Sequence, residues 1–226
     1  MSIRPLVPQI AVCLFLSIAA TYAADSVTRF DAKAGASKVR IEGTSSVHDW
    51  QIESTLVGGH LDAGPGFPID PGQTVAPGKV DARVEVIIPV RALKSVEKNG
   101  THYSDRMDEV VWEHLSQTNH PRILYYLSEL SLKELPKEKD APYTFDAKGD
   151  LVVGGVTNHI SMPIFVTLLG GRKIKIAGTT TVKMSDFHIQ APTLSVMGIG
   201  LIKTADEAKL FFEWVVAQKQ PAPAAN

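Results

Sequence analysis

Apolar and polar residues alternate with a period of two over most of this chain, the spacing that puts every second side chain of a strand on one face. In KVDARVEVIIPV, Val80, Ala82, Val84, Val86 and Ile88 share one face, and Asp81, Arg83 and Glu85 share the other. HISMPIFVTLL repeats the pattern with Ile160, Met162, Ile164, Val166 and Leu168. RKIKIAGTTTVKM sets Ile174, Ile176, Val182 and Met184 against Lys173, Lys175 and Lys183, and EAKLFFEWVV aligns Ala208, Leu210, Phe212, Trp214 and Val216. KVRIEG, PRILYYLSELSL and YTFDAKGDLVV read as further strands. The apolar phase of PRILYYLSELSL slips near Ser128 and Glu129, which predicts a bulge. Strands with one apolar and one charged face must cover the apolar one. Many antiparallel strands do so by closing into a barrel or packing as a sandwich.

One stretch changes period. In THYSDRMDEVVWEHLSQ, Tyr103, Met107, Val110, Val111, His114 and Leu115 form a stripe at helical spacing. Thr101 or Ser104 is placed to cap its start, and Asn119 and Pro121 end it. A single amphipathic helix among many strands reads as a cover for one end of the barrel. Asp105, Asp108 and Glu109 are assigned to its solvent side. Residues 58–79 are dense in Gly and Pro and read as a long connection.

The ends read differently from the middle. Arg4 precedes an apolar run from Ile10 to Ala20, and Thr21-Tyr22-Ala23 offers a small-x-small cleavage site. Residues 1–23 therefore read as a secretory signal peptide. Its apolar run is far shorter than the roughly 20 residues of a membrane span, so no stable span is expected after cleavage. Residues 24–217 form one domain, and 218–226 a Pro/Ala-rich tail expected to be disordered. The single cysteine, Cys13, lies within the leader, so the mature chain has no thiol nucleophile, disulfide or Cys-type zinc site. The formal net charge is −1, with Lys and Arg scattered singly. That excludes a nucleic-acid stripe and a polybasic membrane patch. The compartment expected is the periplasm or the outside of the cell.

The stretch GTSSVHDWQIES carries the residue types of a hydrolase triad. Read as one continuous strand, it turns His48, Trp50, Ile52, Ser54 and Leu56 inward and Asp49 outward. Neighbouring strand residues diverge, so His48 and Asp49 cannot pair catalytically. Ser46 lacks a Gly-x-Ser-x-Gly elbow. The seven histidines show no His-x-x-x-His spacing, so no metal site is assigned. What the residues leave is an apolar interior, which either is filled by side chains or holds one ligand.

Several motifs in order resemble the YceI-like family. They are Asp31 with Ser37-Lys38-Val39; EGTSSVHDWQIES, which resembles a His-Asp-Trp variant branch; RMDEVVWEHLSQTNHPRILYY; GDLVVGGVTNHISMPIFV; and APTLSVMGIGLIKTADEAKLFFEWVV. The resemblance implies an all-β, antiparallel, lipocalin-like barrel of about eight strands, with the helix covering an end. It implies no enzyme and no cofactor other than a bound lipid or isoprenoid. The partner it implies is an apolar amphiphile: an isoprenoid, a quinone or a fatty-acyl chain, held for transport, storage or sequestration. By parity the lining would be His48, Trp50, Ile52, Val84, Val86, Ile88, Tyr125, Met162, Ile164, Val166, Ile176, Met184, Phe212 and Trp214. A homodimer of barrels sharing an edge fits the same pattern. Two other readings stay open: a filled barrel acting as a structural or interaction module, and a hydrolase using Ser46 and His48.

Overall fold

The computed structural model describes residues 27–196 and 200–218. The expected leader and residues 219–226 of the expected tail lie outside the described residues, whereas Gln218 ends the last strand. In chain order the elements are β1 (Thr28–Ala32), β2 (Lys38–Ser45), β3 (Trp50–Ser54), β4 (Gly58–Ala63), β5 (Gly78–Lys79), β6 (Ala82–Pro89), β7 (Lys94–Val96) and α1 (Asp105–His114). They continue with β8 (Arg122–Glu134), β9 (Tyr143–Val153), β10 (Val156–Leu169), β11 (Lys173–Lys183), β12 (Thr193–Val196) and β13 (Gly200–Gln218).

The order β1-β4-β6-β8-β9-β10-β11-β13 returns to β1, so eight antiparallel strands close on themselves. Closure leaves no unpaired edge around this ring, which is how an all-antiparallel sheet avoids edge-to-edge association. The expected all-β barrel is what the structure shows. The expected slip is present too, with β8 changing register against β9 between Leu127 and Glu129.

Of the remaining five strands, β2, β3 and β7 extend in that order from β13, β12 pairs with β13 and β5 with β8. β1 and β2 are consecutive, as are β3 and β4, and β6 and β7. Their breaks, at 33–37, 55–57 and 90–93, therefore lie side by side. Below them the wall is a closed ring. Above them β2-β3-β7 forms a flap whose free edge would be β7. Helix α1 covers that edge, as the helical period predicts, with Ser104 rather than Thr101 as its cap. Trp112 Nε1 donates to the Leu93 carbonyl at 3.0 Å and ties the helix to the break.

The lower end is the one that carries residues 64–81. The sequence predicts a connection over 58–79, but its first six residues pair as β4 against β1 and β6. The rest folds under the barrel as a plug. Phe67 is buried and stacks on Phe145 with centroids 5.8 Å apart. The Gln73 side chain holds this loop from inside, accepting from Ile69 N at 3.0 Å and donating to the Phe67 carbonyl at 2.9 Å. Phe30, Leu61, Leu132, Phe145, Val166, Ile174 and Val216 complete a fully packed lower half.

Candidate ligand-binding site

The upper half is built differently from the lower. Ile41, Trp50, Val86, Ile88, Tyr125, Leu127, Ile160, Val182, Leu210 and Phe212 share the inward parity of buried neighbours and pack against the core, yet each is only half-buried. An inward residue in the middle of a closed wall meets solvent only through the lumen. These half-buried inward positions mark the less tightly packed space above the sealed half, toward the 46–49 hairpin turn, α1 and residues 184–192.

Three aromatic rings shape this space. A Cβ at Gly43 would collide with the Trp50 ring, one at Gly149 with Tyr125, and one at Gly178 with Phe212. Gly43 pairs directly with Trp50, and Gly178 with Phe212, across adjacent strands. Each ring thus lies against bare backbone on the wall, where it narrows the lumen least. At the inward positions of the described ring strands, which on β13 are taken from Ala208 to Val216, no side chain is charged. The mouth is polar. Asp206 accepts from Ser185 N at 2.8 Å and Oγ at 2.6 Å, which holds its carboxyl below the usual range. Asn158 Nδ2 donates to the Asp186 carbonyl at 2.7 Å.

Two polar atoms near the mouth, the Tyr125 hydroxyl and Trp50 Nε1, are buried without a protein hydrogen-bond partner. Burial, with a smaller contribution from the Asp150 carboxylate, pushes the Tyr125 phenol up to about 12. It is neutral at any physiological pH. Trp214 Nε1 is likewise unpartnered but belongs to the packed half.

A scan against family models matches the YceI-like domain over residues 30–216. The chain belongs to the YceI-like family. Its fold is similar to that of Burkholderia cenocepacia BcnA, at 15% identity and TM-score 0.55, covering 82% of this chain and 99% of that one. It is also similar to a Saccharophagus degradans domain described as polyisoprenoid-binding and implicated in plant cell wall breakdown. That match is at 12% identity and TM-score 0.58, covering 86% of this chain and 100% of that one. No curated protein matches it.

In this YceI-like chain the structure brings most of the sequence-predicted residues to one interior. Trp50, Val84, Val86, Ile88, Tyr125 and Phe212 are inward and half-buried; Ile52, Met162, Ile164, Val166, Ile176 and Trp214 are inward and buried. Two placements are corrected. GTSSVHDWQIES is not one strand: β2 ends at Ser45 and β3 begins at Trp50. His48 sits exposed on the turn between them, because Ser45 Oγ donates to the His48 carbonyl at 2.7 Å and closes the hairpin. Met184 leaves the strand and opens a 3-10 turn, Met184–Phe187. Ser46 and His48, the hydrolase candidates, both sit on this turn and each has a backbone partner. Ser46 Oγ accepts from Lys203 N at 3.1 Å, and His48 Nδ1 meets the Asp49 carbonyl at 2.7 Å.

A third correction concerns Asp108, placed on the solvent side by the sequence. It is fully buried at the seam between α1 and β7. Its Oδ1 accepts from Ser95 N at 2.6 Å and Ser95 Oγ at 2.8 Å, and its Oδ2 meets His102 Nε2 at 2.9 Å and Lys94 Nζ at 3.0 Å. Burial alone would raise this carboxyl, but the Ser95 backbone N–H, the Lys94 ammonium, the Ser95 hydroxyl and His102 together hold it below its ordinary value. His102, Asp105 and Asp108 are close enough to share a cation. The Lys94 ammonium already occupies the Asp108 carboxylate, so these residues do not fit a metal. The sequence signal that could have found this seam is the capping pattern. Asp108 lies one turn after Ser104, between Met107 and Val110 of the apolar stripe.

Proposed function

We propose that the protein is a secreted or periplasmic carrier that holds an apolar, chain-bearing amphiphile in the upper half of its barrel, and that it is not an enzyme. The observation that carries this reading is the set of inward, uncharged and half-buried residues around the three rings that lie on glycine. The description of the Saccharophagus degradans domain as polyisoprenoid-binding supports it. The leader read in residues 1–23 supports export. The ligand enters from above, because Phe67 seals the lower end. Each methylene moved from water into such a lumen contributes about 0.8 kcal/mol. Ile160, Leu210 and Phe212 would meet the chain, with the polar end toward Asn158 and Asp206.

Native mass spectrometry of protein purified from the periplasm, followed by lipid extraction, tests the reading. The expected result is a mass excess matching one long-chain apolar compound. A bare polypeptide mass, unchanged after incubation with prenyl and acyl lipids, would refute it.

A further inference from the structure

The turn that follows β7 carries a group that the barrel does not use. Residues 97–103 are all exposed. Val96 pairs with His102 across this turn. The bonds that Glu97, Gly100 and Thr101 donate stay inside it: Glu97 N to the Thr101 carbonyl at 2.8 Å, Gly100 N to the Glu97 carbonyl at 2.8 Å, and Thr101 N to Asn99 Oδ1 at 2.9 Å. Gly100, at φ +84°, lets the chain reverse there. The turn spells Asn99-Gly100-Thr101, the Asn-x-Ser/Thr pattern of an N-glycosylation acceptor, with a residue other than proline in the middle. No other asparagine has Ser or Thr two residues on. Asn158, for comparison, is followed by His159 and Ile160 and donates its Nδ2 to the Asp186 carbonyl. At Asn99 the Thr101 N–H holds Oδ1, which fixes the amide and leaves Nδ2 as the branch open to an incoming group. Thr101 stands two residues after it and Glu97 two residues before, so one exposed turn presents a carboxylate, an amide and a hydroxyl together.

Resting on the export reading, which brings the chain to glycosyl donors outside the cytoplasm, we propose that Asn99 is an acceptor site for N-linked glycosylation, modified on the folded barrel from a glycosyl donor with a pyrophosphate leaving group. Nδ2 attacks the anomeric carbon and an N–C bond forms. The C–O bond to the pyrophosphate breaks, its electron pair leaves with the phosphate oxygen, and Nδ2 gives one proton to a base of the transferase. The attached glycan is bulky and hydrophilic. At this turn it follows the outermost strand of the flap and loads no strand of the closed ring.

The test expresses the full chain, leader included, in a bacterium whose periplasm holds an asparagine-linked oligosaccharyltransferase and its lipid-linked donor, alongside a control acceptor. The protein is weighed after denaturation and delipidation, so that bound lipid does not count. The expected product is the chain without residues 1–23 plus one glycan, carried on the peptide that contains Asn99. Asn99→Asp keeps an acceptor for Thr101 N and removes the amide nitrogen; it should abolish the glycan, as should Thr101→Val, whereas Thr101→Ser should retain it. Unmodified protein, shown to be folded by its melt, should accept the same glycan from the purified transferase and donor. A processed chain of bare mass beside a modified control, conversion of Asn99 to a carboxylate without a glycan, a glycan that survives Asn99→Asp, or acceptance only after unfolding would overturn the proposal and leave the carrier reading standing. A bare chain that keeps residues 1–23 would overturn the export reading, and the proposal with it.

Discussion

Asp108→Asn isolates the seam that holds the helix to the flap. The substitution keeps the shape of the side chain and removes its charge. One oxygen becomes an NH₂ group turned toward donors. The two Ser95 groups, N–H at 2.6 Å and Oγ at 2.8 Å, are buried and have no water to fall back on. Lys94 and His102 are 44% and 46% exposed, so water replaces much of what they lose. Asp108 itself is fully buried, so its own desolvation offsets part of what these bonds contribute. Hydrogen bonds to a charged group contribute roughly 1.5–3 kcal/mol each, and discounting the two exposed partners leaves a net loss of about 2–3 kcal/mol. For a domain of this size, about 2–4 °C per kcal/mol converts that to a fall of roughly 5–10 °C in Tm.

The pH dependence follows from the sign of the shift. Asp108 is held below the ordinary aspartate value of about 3.9. Its contribution is therefore fully present above that value and is lost as pH falls through the lower, folded one. Thermal melts of both proteins from pH 8 to pH 3 should show a constant gap down to about pH 5, narrowing only below about pH 4. A gap under about 1 °C at pH 7 would refute the reasoning. A gap that closes between pH 7 and pH 5 would do so as well, because the Asp108 carboxyl, held below its ordinary value, stays ionised throughout that range.

Two further perturbations bear on the ends of the barrel. Phe67→Ala removes the ring stacked on Phe145 and should lower stability by about 3–4 kcal/mol in urea titrations, since large-to-small changes leave a cavity that relaxes only in part. A loss under about 1 kcal/mol would mean that the plug is not part of the core. Gly178→Val should force the Phe212 ring off the wall and into the lumen, costing about 1–3 kcal/mol by overpacking. It should also reduce the capacity for displacement-assay ligands, and full capacity in this variant would argue against Phe212 as part of the lining.

Much of the fold was legible because strand parity is a local, repeating signal. The inward sets on β6, β10, β11 and β13 follow from alternation alone, and so does the slip in β8. What alternation could not reveal was where a strand stops. In GTSSVHDWQIES the apolar and polar positions keep their phase across the hairpin, so alternation assigns His48 to the face of Trp50. The deciding contacts are those of Ser45 Oγ with the His48 carbonyl and backbone N–H, which no pattern shows. Asp108 was misplaced for a related reason. Its polarity was read as exposure, but a carboxylate becomes a buried residue once a strand edge and an ammonium are brought to it. Residues 58–79 looked irregular because glycine and proline mask β4, whose partners β1 and β6 lie far along the chain.

The division of one barrel into a sealed half and an open half comes down to which residue stands opposite each ring. Along the β11–β13 pair, Phe212 faces Gly178, and two residues on, Trp214 faces Ile176. The first ring lies on bare backbone and stays half-buried at the edge of the lumen. The second has an aliphatic side chain opposite it and is 3% exposed in the packed half. Trp50 opposite Gly43 repeats the first arrangement; Tyr125 stands opposite Leu151 and reaches diagonally over Gly149, and all three rings belong to the half with half-buried neighbours. A glycine in a strand ordinarily weakens it, because it gives up side-chain packing and costs chain entropy. Here the cross-strand ring restores the packing, and the space it vacates is lumen. On the carrier reading, the positions of these glycines, rather than the overall apolar content of the wall, would set the length of chain that the barrel admits.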